Sequence, residues 1–133
     1  MSWREMLLEA CAGGFDVLDW LSAREDRDGF VHVTACLVRS EEPADTRLVT
    51  APAPVESVAD VFPSAAWHER ETAEMYGPQF AGHPDPRPLL LPAGAQPPLR
   101  RDVALPARLG PWPGAVDPAK PRRVTNPPGT PWE

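Results

Sequence analysis

No stretch of eighteen or more apolar residues occurs in the chain, which excludes a conventional membrane-spanning helix. The N-terminus carries Arg4, Glu5 and Glu9 where a signal peptide requires an unbroken apolar segment. Basic residues are in the minority, 13 Lys and Arg against 19 Asp and Glu, a net charge of −6. Nucleic-acid proteins usually present a basic face to phosphate, so no nucleic-acid partner is expected. Cysteine is scarce: Cys11 and Cys36 have neither CxxC spacing nor the pattern of a disulfide framework, and read as reduced thiols that fill the core. The chain has no GxGxxG loop, no phosphate-cradling motif and no CxxC-type cluster ligation. His32, His68 and His83 with two distant cysteines do not make a three- or four-ligand metal set. These absences together point to a soluble chain retained inside the cell, with no catalytic, cofactor or metal site of its own.

Proline, by contrast, is abundant, at 19 of 133 residues or about 14%, against a typical ~5%. Fourteen of these prolines lie between Pro84 and Pro131. Since proline disrupts helix interiors and central strands, residues 1–105 read as one globular domain and 106–133 as an extended proline-rich tail. Its composition is that of a disordered segment, against which Trp112 and Trp132, with Lys120, Arg122 and Arg123 between them, favour chain that lies in a groove of a neighbouring subunit.

Within the domain, Ser2 and Glu5 form an S-x-x-E capping box ahead of Trp3, Met6, Leu7, Ala10 and Cys11, predicting a helix stopped by Gly13 and Gly14. Phe15 to Leu21 alternates as a strand, with Phe15, Val17 and Asp19 on one side and Asp16, Leu18 and Trp20 on the other. After an acidic link and an Asp28-Gly29 turn, the β-branched run Phe30 to Val38 predicts a hairpin partner, and Thr46 to Thr50 a third strand. Val55, Val58, Ala59 and Phe62 fall at helical spacing before Pro63, predicting a short helix. Ser64 is placed to cap a second helix, Ala65 to Tyr76, which ends at Gly77. The expected fold class is α+β, a small, mainly antiparallel sheet flanked by helices.

The second helix carries Glu69, Arg70, Glu71 and Glu74, with Arg70 and Glu74 spaced to pair on one face. An ordinary solvated face needs nothing more, yet this helix runs straight into a loop dense in residues with special backbone demands, Gly77, Phe80, Gly82, His83, Pro84, Asp85 and Arg87. The series Glu69, Arg70, Glu71, Glu74, Met75, Tyr76, Gly77, Phe80, Gly82, His83, Pro84, Asp85, Arg87, Leu89, Leu90 resembles the signature of the 30 kDa subunit family of NADH-quinone oxidoreductase, that is, of respiratory complex I. Pro98, Leu99, Arg100, Arg101 and Asp102 are similar to a second element of that family. Glu74 stands where Asp is commoner, and Pro78, Pro86 and Pro88 replace residues that are usually aliphatic or basic. The resemblance covers about Phe15 to Leu105. Family members carry a larger α/β portion before these strands.

The resemblance implies a structural subunit of the peripheral arm of a proton-translocating enzyme, on the cytoplasmic side of the cell membrane. Electrons would pass from NADH through FMN and iron–sulfur centres held by partner subunits to a quinone, and this chain would sit beside the quinone-proximal subunits without binding a cofactor itself. The equivalent small subunit of a membrane-bound, energy-converting hydrogenase is the alternative, and a free-standing peptide-binding module a more distant one. Two roles stay open for the charged set. Glu69, Arg70, Glu71, Glu74, Arg87, Arg100 and Arg101 suit docking through complementary potential. Equally, Arg70 and Arg87 could pair with Glu71, Glu74 or Asp85 and hold the Gly77 to Pro88 loop from within. His83 reads as a backbone-bonding loop residue rather than a base or ligand.

Overall fold

The computed structural model describes residues 1–104; the tail lies outside them. Helix α1 spans Trp3–Ala12, strands β1, β2 and β3 span Val17–Glu25, Val31–Val38 and Thr46–Pro52, β4 is Val55–Glu56, helix α2 is Ala65–Tyr76 and β5 is Phe80–Ala81. The first three strands form an antiparallel meander in the order β1-β2-β3, and β4 pairs in parallel with β5. The expected α+β class and hairpin topology are therefore present.

The α1 cap forms as its sequence dictates. Ser2 Oγ accepts from Glu5 N–H at 3.2 Å, and the Glu5 carboxylate accepts from Ser2 N–H at 2.6 Å. Trp3, Leu7 and Ala10 face inward and join Leu21, Val33, Ala35, Leu37, Val49 and Ala65 in one core, which places both helices on the same side of the sheet. Arg4, on the solvated flank of α1, donates to both carboxylate oxygens of Asp60 and holds its pKa down to about 2.

Strand β1 departs from the expected alternation. It begins at Val17 and continues through Glu25, so the first part of the acidic link, Ala23 to Glu25, is ladder. The register shifts between Leu18 and Trp20, a bulge that leaves Asp19 without a cross-strand partner. Leu18 and Leu21 consequently both point into the core, at 5% and 2% exposure, while Trp20 turns to the opposite face. A strict two-residue period cannot place Leu18 and Leu21 on one side, and the bulge resolves the conflict.

The predicted helix over Val55 to Phe62 is absent. Between Pro54 and Pro63 there is too little chain for a stable helix, and Val55 and Glu56 gain ladder partners in Phe80 and Ala81 instead. A single turn survives at Val58–Phe62, closed by Phe62 N–H to Val58 O at 2.8 Å. Val55, Val58 and Phe62 are nevertheless buried. Ser64 does not cap α2 through its side chain; its Oγ donates to Leu18 O at 3.5 Å. Gly77 ends the helix as expected, at φ 93°. Cys36 is buried, but on the sheet face away from the core, opposite Trp20 and Leu48 in register, so it does not fill the core.

Leu37 and Leu48 lie on opposite sheet faces, at 0% and 62% exposure. Leu37→Ala is expected to destabilise the chain by about 3 kcal/mol in denaturant unfolding. Leu48→Ala is expected to change stability by about 0.5 kcal/mol or less.

Candidate functional site

Helix α2 buries Ala65, Glu69 and Thr72, a stripe at helical spacing with a carboxylate at its centre. Glu69 has 0% exposure. One carboxylate oxygen accepts from Ser57 Oγ at 2.6 Å and the other from Val58 N–H at 2.8 Å, so the side chain ties α2 to the segment just after β4. Burial pushes the Glu69 pKa above its ordinary value, while the Ser57 and Val58 donors and nearby His83 pull it the other way. Sequence reasoning set Glu69 among solvated docking charges, and its burial corrects that placement.

His83 sits next to this carboxylate, with Nε2 3.6 Å from Glu69 and its side chain 5% exposed. Its Nδ1 accepts from Asp85 N–H at 3.0 Å. The ring proton therefore lies on Nε2, which donates to Ala66 O at 2.9 Å. His83 bonds backbone as expected, but across to α2 as well as within its own loop.

The polar side chains farther along α2 reach the same loop. Arg70 Nε and Nη2 donate to Arg87 O and Pro88 O, both at 3.0 Å, and Nη1 lies 3.6 Å from Asp85. Glu74 accepts from three successive backbone N–H groups, those of Leu89, Leu90 (2.8 Å) and Leu91 (3.3 Å). Burial acts to raise the Glu74 pKa, but these three donors and Arg70 together hold it below the ordinary value. Arg70 and Glu74 do not form the expected mutual ion pair, because loop carbonyls and amides occupy them. Asp85 is held well below the usual carboxylate range by the two-pronged Arg87 guanidinium, whose N–O distances are both 2.7 Å.

Gly77 turns the chain out of α2 in a conformation that disfavours other residues, and a Cβ there would also approach Pro97 to 3.2 Å. Phe80 is buried, and Gly82 has φ 77° in open space. Tyr76 is half-buried, while Glu71 and Pro84 are exposed. The second family element closes on the far side. Leu99 N–H donates to Met75 O at 3.0 Å and Arg101 N–H to Glu25 at 2.7 Å, with Arg100 Nε 3.6 Å from Glu25 and 3.8 Å from Asp102. Between α2 and residues 86–97 lies a cleft of about 270 Å³, lined in part by Glu69, Phe80, His83, Leu91 and Pro97.

The motif residues are thus brought together, but Arg70 and Glu74 engage the loop backbone rather than facing outward, and the exposed Arg87 is paired with Asp85 within the loop. Sequence reasoning missed Ser57, Val58 and Glu25. The first two were read as part of a helix and the third as a link, and each becomes a partner only through tertiary contact. The one available signal was the spacing of Ala65, Glu69 and Thr72.

The fold and site define a small α+β scaffold that builds and presents a structured loop. The chain belongs to the family described as respiratory-chain NADH dehydrogenase, 30 Kd subunit, whose model matches residues 2–108, α1 included. Among curated relatives, the NADH-quinone oxidoreductase subunit designated C in Methylobacterium radiotolerans is 55% identical over 53 residues, covering 39% of this chain and 25% of the relative. Its counterpart in Bartonella bacilliformis is 54% identical over 50 residues (37% and 24%). That of Mesorhizobium japonicum is 52% identical over 52 residues (38% and 26%). The aligned stretch spans about a quarter of each relative.

Two outcomes follow from this geometry. Below the ordinary glutamate value of 4.5, folded and unfolded chains both hold the Glu69 proton. As pH rises through the window above 4.5, the unfolded chain releases the proton first, so this group's contribution to stability falls until the raised folded value is passed. Glu69→Gln keeps an acceptor for Val58 N–H and removes that titration; thermal melts should show a smaller loss of stability between pH 4.5 and 7.5 than in the parent chain. Glu74→Ala should speed amide exchange at Leu89, Leu90 and Leu91 by about tenfold or more, with α2 amides unchanged.

Proposed function

We propose that this chain is a non-catalytic assembly subunit in the peripheral arm of a proton-translocating NADH-quinone oxidoreductase. In this reading FMN and iron–sulfur centres in other subunits carry electrons from NADH to quinone. The chain packs beside the quinone-proximal subunits, on the cytoplasmic side of the membrane, and reaches the bilayer only through them. Among the described residues no helix is long and apolar enough to cross a membrane.

The observation that carries the reading is the way the family motif is used. A histidine on a carbonyl of α2, an arginine on two loop carbonyls and a glutamate on three loop amides fix residues 83–91. A loop over-determined to this degree is pre-organised, so it docks against a partner with little further loss of chain entropy. The loop leaves Leu90 64% exposed, and Trp67 on the adjoining helix 65% exposed. Large apolar groups held outward on a rigid frame suit a subunit interface.

Affinity purification of the tagged full chain from membranes of its own host tests the proposal. Co-purifying nicotinamide-oxidising subunits are the expected result. A nickel-site subunit in their place would assign the chain to a hydrogenase-type complex, and the absence of stable partners would overturn the assembly role. Arg70→Met should lower the melting temperature of the isolated chain and the yield of complex together. Lost assembly at an unchanged melting temperature would instead make Arg70 a direct docking group.

A further inference from the structure

The meander has two faces, and only one meets the helices. Strand register places Trp20, Cys36 and Leu48 in one row across the outer face, with Val17, Val38 and Thr46 in the next. Two further rows are polar, Ser22 with Thr34 and Thr50, then Arg24 with His32 and Pro52. The outer face is thus apolar at one end and polar at the other. At the apolar end Val17, Trp20 and Leu48 are 43%, 39% and 62% exposed, and no described helix covers them. The β1 bulge matters here, because it keeps Leu18 and Leu21 in the core while turning Trp20 outward.

The rim of this apolar end is acidic. Asp19 stands in the bulge, and Glu41 and Glu42 lie in the β2–β3 connection, none of the three in an ion pair among the described residues. Nearby Asp45 is taken by Arg39 at 2.6 Å, and Asp16 by Ser40. An apolar patch beside unpaired carboxylates complements an apolar surface edged with lysine or arginine. A second copy of this chain does not meet that requirement, since isologous packing would set the two acidic rims against one another. A sheet face is normally buried by another layer of helix or sheet. Residues 106–133, with eight prolines, are poor material for such a layer.

We infer that the outer sheet face around Trp20, Cys36 and Leu48 is a second subunit interface, separate from the α2 loop, which receives an apolar, basic-edged surface of another subunit of the same oxidoreductase. The inference rests on the assembly role proposed above. It gives the chain two docking surfaces on different sides of its core, the arrangement of a spacer between neighbours.

The test places the photoreactive residue p-benzoylphenylalanine at position 48 of the full chain in its native host and identifies the adducts formed on illumination. A cross-link to another subunit of the oxidoreductase is expected. Cross-links confined to a second copy or to residues 106–133 of the same chain would overturn the inference, as would normal complex recovery with no adduct at all. Leu48→Glu should leave the melting temperature within about 2 °C of the parent, because the site is exposed. The same variant should reduce recovery of complex by about tenfold or more, since a charge must then be desolvated. Glu41→Lys with Glu42→Lys should also weaken recovery, and unaltered recovery in both variants counts against the interface. If the unaltered chain recovers no oxidoreductase subunits, the assembly role fails and this inference with it. Normal recovery without a cross-link sinks this inference alone.

Discussion

The Glu69 carboxylate is the constraint on which the rest of the structure depends. A charge-bearing group taken fully out of water carries a heavy desolvation penalty unless its oxygens are satisfied. Here Ser57 Oγ and Val58 N–H satisfy them, and both donors come from the chain between β4 and α2. The carboxylate thereby fixes where that chain runs, and β4 lies beside it ready to receive β5. The parallel β4–β5 pair returns the backbone after Gly77 to the base of α2, where His83 meets Ala66. Removing the acid would leave two buried donors without partners and loosen the start of the loop as well as the helix.

The remaining motif residues extend that logic outward along the helix. Arg70 accounts for two carbonyls and Glu74 for three amides of a segment whose prolines supply no N–H of their own. Pro86 and Pro88 stand within it, so the loop has few backbone donors with which to bond itself. Side chains from α2 take over that task. The division of labour answers the question raised by a helix so rich in charge. Most of its charges position backbone, and the groups left outward nearby include the large apolar side chains of Trp67 and Leu90 as well as Glu71.

Much of the fold was legible in the sequence because its signals were local. The Ser2–Glu5 box, the Asp28-Gly29 hairpin turn, the β-branched Val31–Val38 strand and the Gly77 stop each depend on a few adjacent residues, and each is present. The β1 bulge and the collapse of the Val55–Phe62 helix were not legible. The first compensates a three-residue offset between Leu18 and Leu21, and the second follows from pairing with Phe80 and Ala81, which are remote in sequence. At the site, motif membership could be read but the direction of each charge could not. Spacing puts Arg70 beside Glu74, yet loop carbonyls and amides compete better for both. Glu69 reads as surface by residue type and as core by position, and only the packed structure decides between them.

The central claim is that the two glutamates do structural work in opposite electrostatic settings, one buried under desolvation and the other clamped by amide donors. Carboxyl-carbon NMR titration of the full chain, with Glu69 and Glu74 assigned by substitution, measures this directly. The account predicts that Glu69 titrates above the ordinary glutamate value and Glu74 below it. Titration of both near that ordinary value would show a solvated, outward-facing helix and contradict it.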